Sequence, residues 1–168
     1  MLVSQDDVEA ARRAILSDLP VARRHLTHLA THAHATFIEL CHQLLGDPAV
    51  RVQWVVFDLL GHYGDRNDLV AEASALQALS HPELQGNALI ALGRVATPAA
   101  LPVLFTSAEQ GAPGAMEAVS QQVRTEEDKH RLRHLARQQL VSRTFRLHDG
   151  AFNALPQHSS AAGSCSLV

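Results

Sequence analysis

Residues 81–93 read His81-Pro82-Glu83-Leu84-Gln85-Gly86-Asn87-Ala88-Leu89-Ile90-Ala91-Leu92-Gly93, and this stretch decides the fold class. Leu84, Ala88, Ala91 and Leu92 fall at i, i+4, i+7 and i+8, which places them on one face of an α-helix. Ala88 and Ala91 are small enough to let a second helix approach, while Leu84 and Leu92 supply apolar bulk. The same internal spacing returns sixty-three residues later as Leu147-x3-Ala151-x2-Ala154-Leu155. Thirty-four residues before Leu84 stands Val50-x3-Trp54-x2-Phe57, introduced by Asp47-Pro48 as the other is by His81-Pro82. A helix expected over 112–123 fills the slot halfway between. The implied period is a little over thirty residues, enough for two short helices and two turns.

Outward from this repeat the chain reads as helix after helix. Asp6 and Asp7 are placed to cap a first helix running to about residue 19, and Pro20 suits the first turn of the next. Helices are predicted over 34–45, 47–63, 65–79, 82–95, 98–109, 113–123, 126–141 and 144–155, with Gly46 and Gly64 among the stops. No segment of useful length alternates apolar and polar with a strand period. The expected fold class is all-α, a short α-solenoid of stacked antiparallel helical hairpins. One hairpin cannot hide its apolar face alone, whereas stacked hairpins bury those faces against one another. The second helices of the pairs are expected over 69–79, 101–109 and 132–140, lining a concave face.

Composition supports a folded chain: hydrophobic residues make up 46% and charged residues 18%. The net charge of −3 argues against a whole-protein preference for nucleic acid. Cys41 and Cys165 are too far apart in sequence to suggest a disulfide framework, and Cys41 reads as a small buried hydrophobe. The acidic, polar N-terminus has no apolar signal core, and no run approaches the roughly 20 apolar residues that span a bilayer. The expectation is a cytoplasmic protein with no membrane partner.

Asp47-Pro48-Ala49-Val50-Arg51 and the motif from His81 to Gly93 resemble the short HEAT repeats, the type also found in phycobilisome lyases. The resemblance covers roughly residues 34–155 as two to four repeats. It departs from the family pattern in Gln85, where Arg is usual, and in the bulky Trp54 and Phe57, where Ala is usual. It implies a single repeat domain over 1–155, with 1–46 as N-terminal capping helices, and a flexible tail at 156–168 rich in Ser, Ala and Gly. Some HEAT-like proteins are di-iron hydroxylases with paired His-Glu dipeptides, and this chain has none. Others are DNA glycosylases with an aromatic and a carboxylate in a basic cleft. Trp54 and Asp58 stand one turn apart, but read more simply as a core tryptophan beside an exposed Asp.

Eleven histidines are the most unusual compositional feature. His25, His28 and His32 share one helix face, yet no Cys or carboxylate nearby completes a four-ligand set, so no metal is expected there. His130 and His134 repeat the i, i+4 spacing among arginines, whose charge disfavours a cation. No Gly-rich phosphate loop, nucleophile elbow or paired carboxylates appear, so no catalytic residue and no cofactor is assigned. The terminal Cys165-Ser166-Leu167-Val168 matches short prenylation and PDZ-pocket patterns only at the level of chance.

Charge is unevenly spread. Between Asp47 and Ser120 stand eight acids and three arginines; between Gln121 and His148 stand seven bases and three acids. Thr125 followed by Glu126, Glu127 and Asp128 suits a helix N-terminus, and the bases beyond suit its later turns. Of the bases, Arg133 and Arg137 share a helix face while Arg131 lies apart. His130, Arg133, His134 and Arg137 are therefore the expected binding residues of a non-enzymatic interaction module, a scaffold, adaptor or sequestering protein whose partner is another protein. The alternatives are nucleic-acid binding through 121–148 and, by the resemblance alone, a lyase-like enzyme or accessory handling a chromophore.

Overall fold

A computed structural model describes residues 3–152, with side chains described through Val141. The described residues are all-helical. α1 spans Gln5–Ser17, α2 Leu19–His32, α3 His34–Leu44, α4 Val50–Tyr63 and α5 Leu69–Ala78. α6 spans Gln85–Val95; a 3₁₀ turn at Pro98–Ala100 leads into α7 (Leu101–Glu109), followed by α8 (Ala115–Gln122) and α9 (Glu126–Phe152). No helix among them is long and apolar enough to cross a membrane.

Local chemistry explains most boundaries. Ser4, rather than Asp6 or Asp7, is the N-cap of α1; its hydroxyl accepts from the Asp7 amide while the Asp7 carboxylate returns to the Ser4 amide. Asp18 caps α2 ahead of Pro20, and Asp68 caps α5 by accepting from the amides of Val70 and Ala71. Helix α4 is rich in β-branched residues, whose propensity costs up to about 0.7 kcal/mol each. Burial outweighs that cost, because Val52, Val55, Val56 and Leu60 are fully buried and each contributes about 1.5–3 kcal/mol.

Helices α4, α6 and α8 pack side by side, α6 in the middle, with α5 against α6, α7 against α8, and α9 against α8. At the other end α1, α2 and α3 pack on one another and on α4. The central row is close. A Cβ placed on Gly93 of α6 would lie 2.6 Å from Ala118 Cα of α8, and one on Gly61 of α4 would lie 2.7 Å from Ile90 Cγ2 of α6. Bare glycine backbone is what allows those approaches.

Two expectations need correction. The first is the register of the repeat. Val50 is exposed and Trp54 half-buried, so neither matches the buried Leu84 and Ala88. The burial patterns coincide instead at 32 residues, pairing Val52, Val56, Leu59 and Leu60 with Leu84, Ala88, Ala91 and Leu92. At that offset Val56 and Leu59, not Trp54 and Phe57, stand opposite the two alanines. The second is the C-terminal end. Residues 126–152 form one helix, not separate helices over 126–141 and 144–155. Neither Pro nor Gly falls between Val141 and Thr144, so nothing there ends α9. Leu147 and Ala151 thus continue α9 rather than opening a new repeat, while Ala154, Leu155 and the tail at 156–168 lie outside the described residues.

Gly93→Ala should destabilise the fold by about 1–3 kcal/mol, since overpacking against backbone exceeds the propensity gain of about 1 kcal/mol. Gly86→Ala is the matched control, because its Cβ would meet nothing nearer than Pro113 O at 3.8 Å. It should be neutral or stabilising. Urea unfolding of both variants checks the contrast.

Candidate functional site

The basic segment is presented by α9. Thr125 caps this helix, its Oγ1 accepting from the Asp128 amide at 3.1 Å and donating to Asp128 Oδ2 at 2.6 Å. Glu126, Glu127 and Asp128 then occupy the first turn, where the helix dipole favours negative charge. Leu135 is buried and Leu132 half-buried, which orients the helix on the rest of the molecule. Gln139 Nε2 donates to Ala108 O of α7 at 2.7 Å. Arg131 Nη2 donates to Glu109 Oε1 at 2.7 Å, with its guanidinium 4.2 Å above the buried ring of Phe105.

Facing away from these anchors, His130, Arg133, His134 and Arg137 are all exposed, within about 100° of one another around the helix axis. None of the four makes an ion pair or side-chain hydrogen bond among the described residues. Their neighbours differ. Lys129 pairs with Glu126 at 2.6 Å, which together with Arg133 holds the Glu126 carboxyl below its usual range, and Arg131 is committed to Glu109. His134 and Arg137 further line a cleft of about 630 Å³ with Glu109, Leu135 and Gln139, whereas His130 and Arg133 stand outside it. The arrangement offers two guanidiniums and two imidazoles to an incoming surface. Nothing in it activates a nucleophile or holds a reacting atom.

Most other candidates serve the fold. The His28 and His32 rings stack at 4.1 Å on the exposed side of α2, and His25 sits apart in a groove between α1, α2 and α3. Among the described residues no group of three or more His, Cys, Asp or Glu is placed to hold a metal. Asp58 is not exposed beside Trp54 but partly buried and paired with the Arg23 guanidinium. Trp54 packs half-buried on the core, and its carbonyl accepts from Asn87 Nδ2 at 3.1 Å. Cys41 is free and buried, and desolvation pushes its thiol far above the ordinary range. Cys165 lies outside the described residues.

Sequence reading missed the partners of two histidines. His34 Nε2 meets Asp65 Oδ1 at 2.9 Å, and His42 Nε2 meets the buried carboxylate of Asp68 at 2.7 Å. Both tie α3 to the segment that joins α4 to α5. Asp65 raises the His34 pKa above 6.5 and the Ala30 carbonyl adds to this, against desolvation and Arg94. A histidine raised in the folded state contributes stability that is fully present below its unfolded value. That contribution is lost as pH rises through the raised value. Thermal unfolding of Asp65→Asn should therefore fall below wild type near about pH 5.5 and rejoin it near about pH 8. Nuclear magnetic resonance titration should show His34 moving back toward 6.5 in that variant. Parallel curves for the two proteins across that range would exclude the linkage.

Comparison of the chain with protein-family models, with curated proteins and with solved structures finds no match, so the functional reading rests on the site's own geometry.

Proposed function

We propose that this chain is a non-enzymatic, cytoplasmic protein-interaction module of HEAT-like type, a short α-solenoid that binds another protein along its second helices. The observation that carries the reading is the outward face of α9. There Arg133 and Arg137, with His130 and His134, stand exposed and without ion pairs among the described residues, while the flanking Lys129 and Arg131 are neutralised. Exposed guanidiniums without ion pairs are well suited to bidentate capture of carboxylates.

Two further features support the stacked architecture. Burial in α4 and α6 coincides at an offset of 32 residues. Among the described residues, side-chain hydrogen bonds between separate elements span 22–35 residues, from Arg131–Glu109 to Arg12–Asp47 and Arg23–Asp58. Contacts confined to about one repeat length are what a quasi-one-dimensional array produces.

Nucleic-acid binding is the second reading, favoured by the same cluster of cations on α9. It would require phosphate contacts to dominate, and Glu126 and Glu127 at the head of the helix oppose them. The test is capture with the full chain from its source cells, with and without nuclease, beside Arg133→Glu/Arg137→Glu. A near-stoichiometric protein that survives nuclease and is lost with the charge reversal, at unchanged circular dichroism, is the expected result. Equal capture by the variant would remove α9 from consideration. Retention of nucleic acid with affinity falling steeply in salt would establish the second reading instead.

A further inference from the structure

Resting on the stacked-helix reading above, the chemistry of α5, α7 and α9 narrows the partner. α5 packs on α6, α7 on α8 and α9 on α8, so each rests against the central row. Glu72 of α5 accepts from the Thr97 amide at 2.9 Å and its hydroxyl at 3.1 Å, just ahead of α7. Glu109 and Ala108 of α7 accept from Arg131 and Gln139 of α9. Among the described residues, five of the eight large hydrophobic residues left exposed belong to these three helices: Leu69, Val70, Val103, Leu140 and Val141. Leu69 is 69% exposed and Val70 51%. None of the eight lies on α6 or α8.

The α5 and α7 part of this surface is uncharged. On α5 the exposed positions are Leu69, Val70, Ala73 and Gln77, and the one acid of that helix, Glu72, is buried and spent on Thr97. On α7 they include Pro102, Val103 and Thr106; its acid, Glu109, is committed to Arg131. α9, tethered to α7 through Glu109 and Ala108, presents Arg133 and Arg137.

We infer that the exposed sides of these helices together form one composite face, which binds a protein segment that places aliphatic side chains against Leu69, Val70 and Val103 and carboxylates against Arg133 and Arg137. A nucleic acid would leave the aliphatic half uncovered. A second copy of the chain fits poorly for a different reason. Its matching face has Glu72 buried and Glu109 and Glu126 already paired, which leaves Glu127 to answer two guanidiniums. An apolar centre with charge complementarity at its edge is the arrangement that gives both affinity and orientation to a protein interface.

The probe is a pool of random peptides displayed on phage and selected on the full chain, with the winning peptide then synthesised and titrated by fluorescence anisotropy. The expected winners join aliphatic residues to Asp or Glu. Leu69→Ser/Val103→Ser and Arg133→Glu/Arg137→Glu should each weaken the winner by about tenfold or more, roughly 1.4 kcal/mol, with helicity unchanged because all four side chains are exposed. Winners without acids, or no winners, overturn the inference. Loss with the charge variant alone overturns the composite face but leaves the α9 reading standing. Indifference to both variants sinks the two together. Displacement of the peptide by an oligonucleotide at physiological salt also overturns the inference.

Discussion

At Gly93 the α6 backbone lies so close to Ala118 of α8 that a single methyl would collide with a main-chain atom. Gly61 plays the same part between α4 and α6, against Ile90 and the Ala91 amide. Close approach brings polar groups into reach as well as apolar ones. Gln122 of α8 is buried, and its Nε2 donates to the carbonyls of Leu92, Gly93 and Ala96 at 3.0–3.3 Å. The Leu92 carbonyl also accepts from the Ala96 amide, while those of Gly93 and Ala96 stand at the end of α6, where a helix leaves acceptors without partners. Each buried acceptor left alone would cost about 1–3 kcal/mol, so an α8 held further off would cost hydrogen bonds as well as packing. Small residues in the row and the capping of its helices are in this sense one constraint.

The same economy governs the acids. Asp47 is buried and accepts from Arg12 Nε at 2.6 Å and from the Ala49 amide, while Gln53 donates to its carbonyl. Asp58 is held by Arg23, Asp68 by His42 and two amides, and Glu72 by Thr97. In each ion pair the carboxylate is the more buried end, so losing the cation would leave a charge poorly solvated, and the pairs tie the helices into one set of relative positions. A consequence reaches the surface. The acids of 47–72 are largely consumed in joining helices, so the net charge of −3 says little about what each face displays. The face of α9 is cationic on a chain that is acidic overall.

Sequence reading reached the all-α class because apolar periodicity and turn residues act locally. Gly46, Gly64 and the Pro98 turn all fall at the expected breaks. It also reached the exposed side of α9, since the placement of Arg133 and Arg137 follows from helical spacing alone. It lost the repeat register because Trp54 resembles a core residue by chemistry, while its position on α4 leaves it half exposed. It divided α9 in two because the Leu147 motif matched a spacing, and spacing says nothing about whether a helix has stopped. The partners of His34 and His42 lie 31 and 26 residues away, across a turn that no local rule could fold in advance. Glu109 escaped notice for the same reason, standing 22 residues from the arginine that it neutralises.

That last pair explains how α9 can leave a charged face to solvent. A helix with a narrow apolar stripe, here Leu132 and Leu135, gains little from packing alone. Arg131 adds a cation over the Phe105 ring and a charged hydrogen bond, and Gln139 adds a second tether two turns further on. These anchors occupy the inward side, so the outward residues need not contribute to holding the helix in place. Arg133 and Arg137 are thereby relieved of a structural duty, and substitution there leaves the packing beneath in place. Arg131 has the same chemistry, yet its removal would loosen the helix itself. Equal charge on one helix thus divides into two roles by angle alone: the side that meets Phe105 and Glu109 builds, and the side that meets solvent is available to bind.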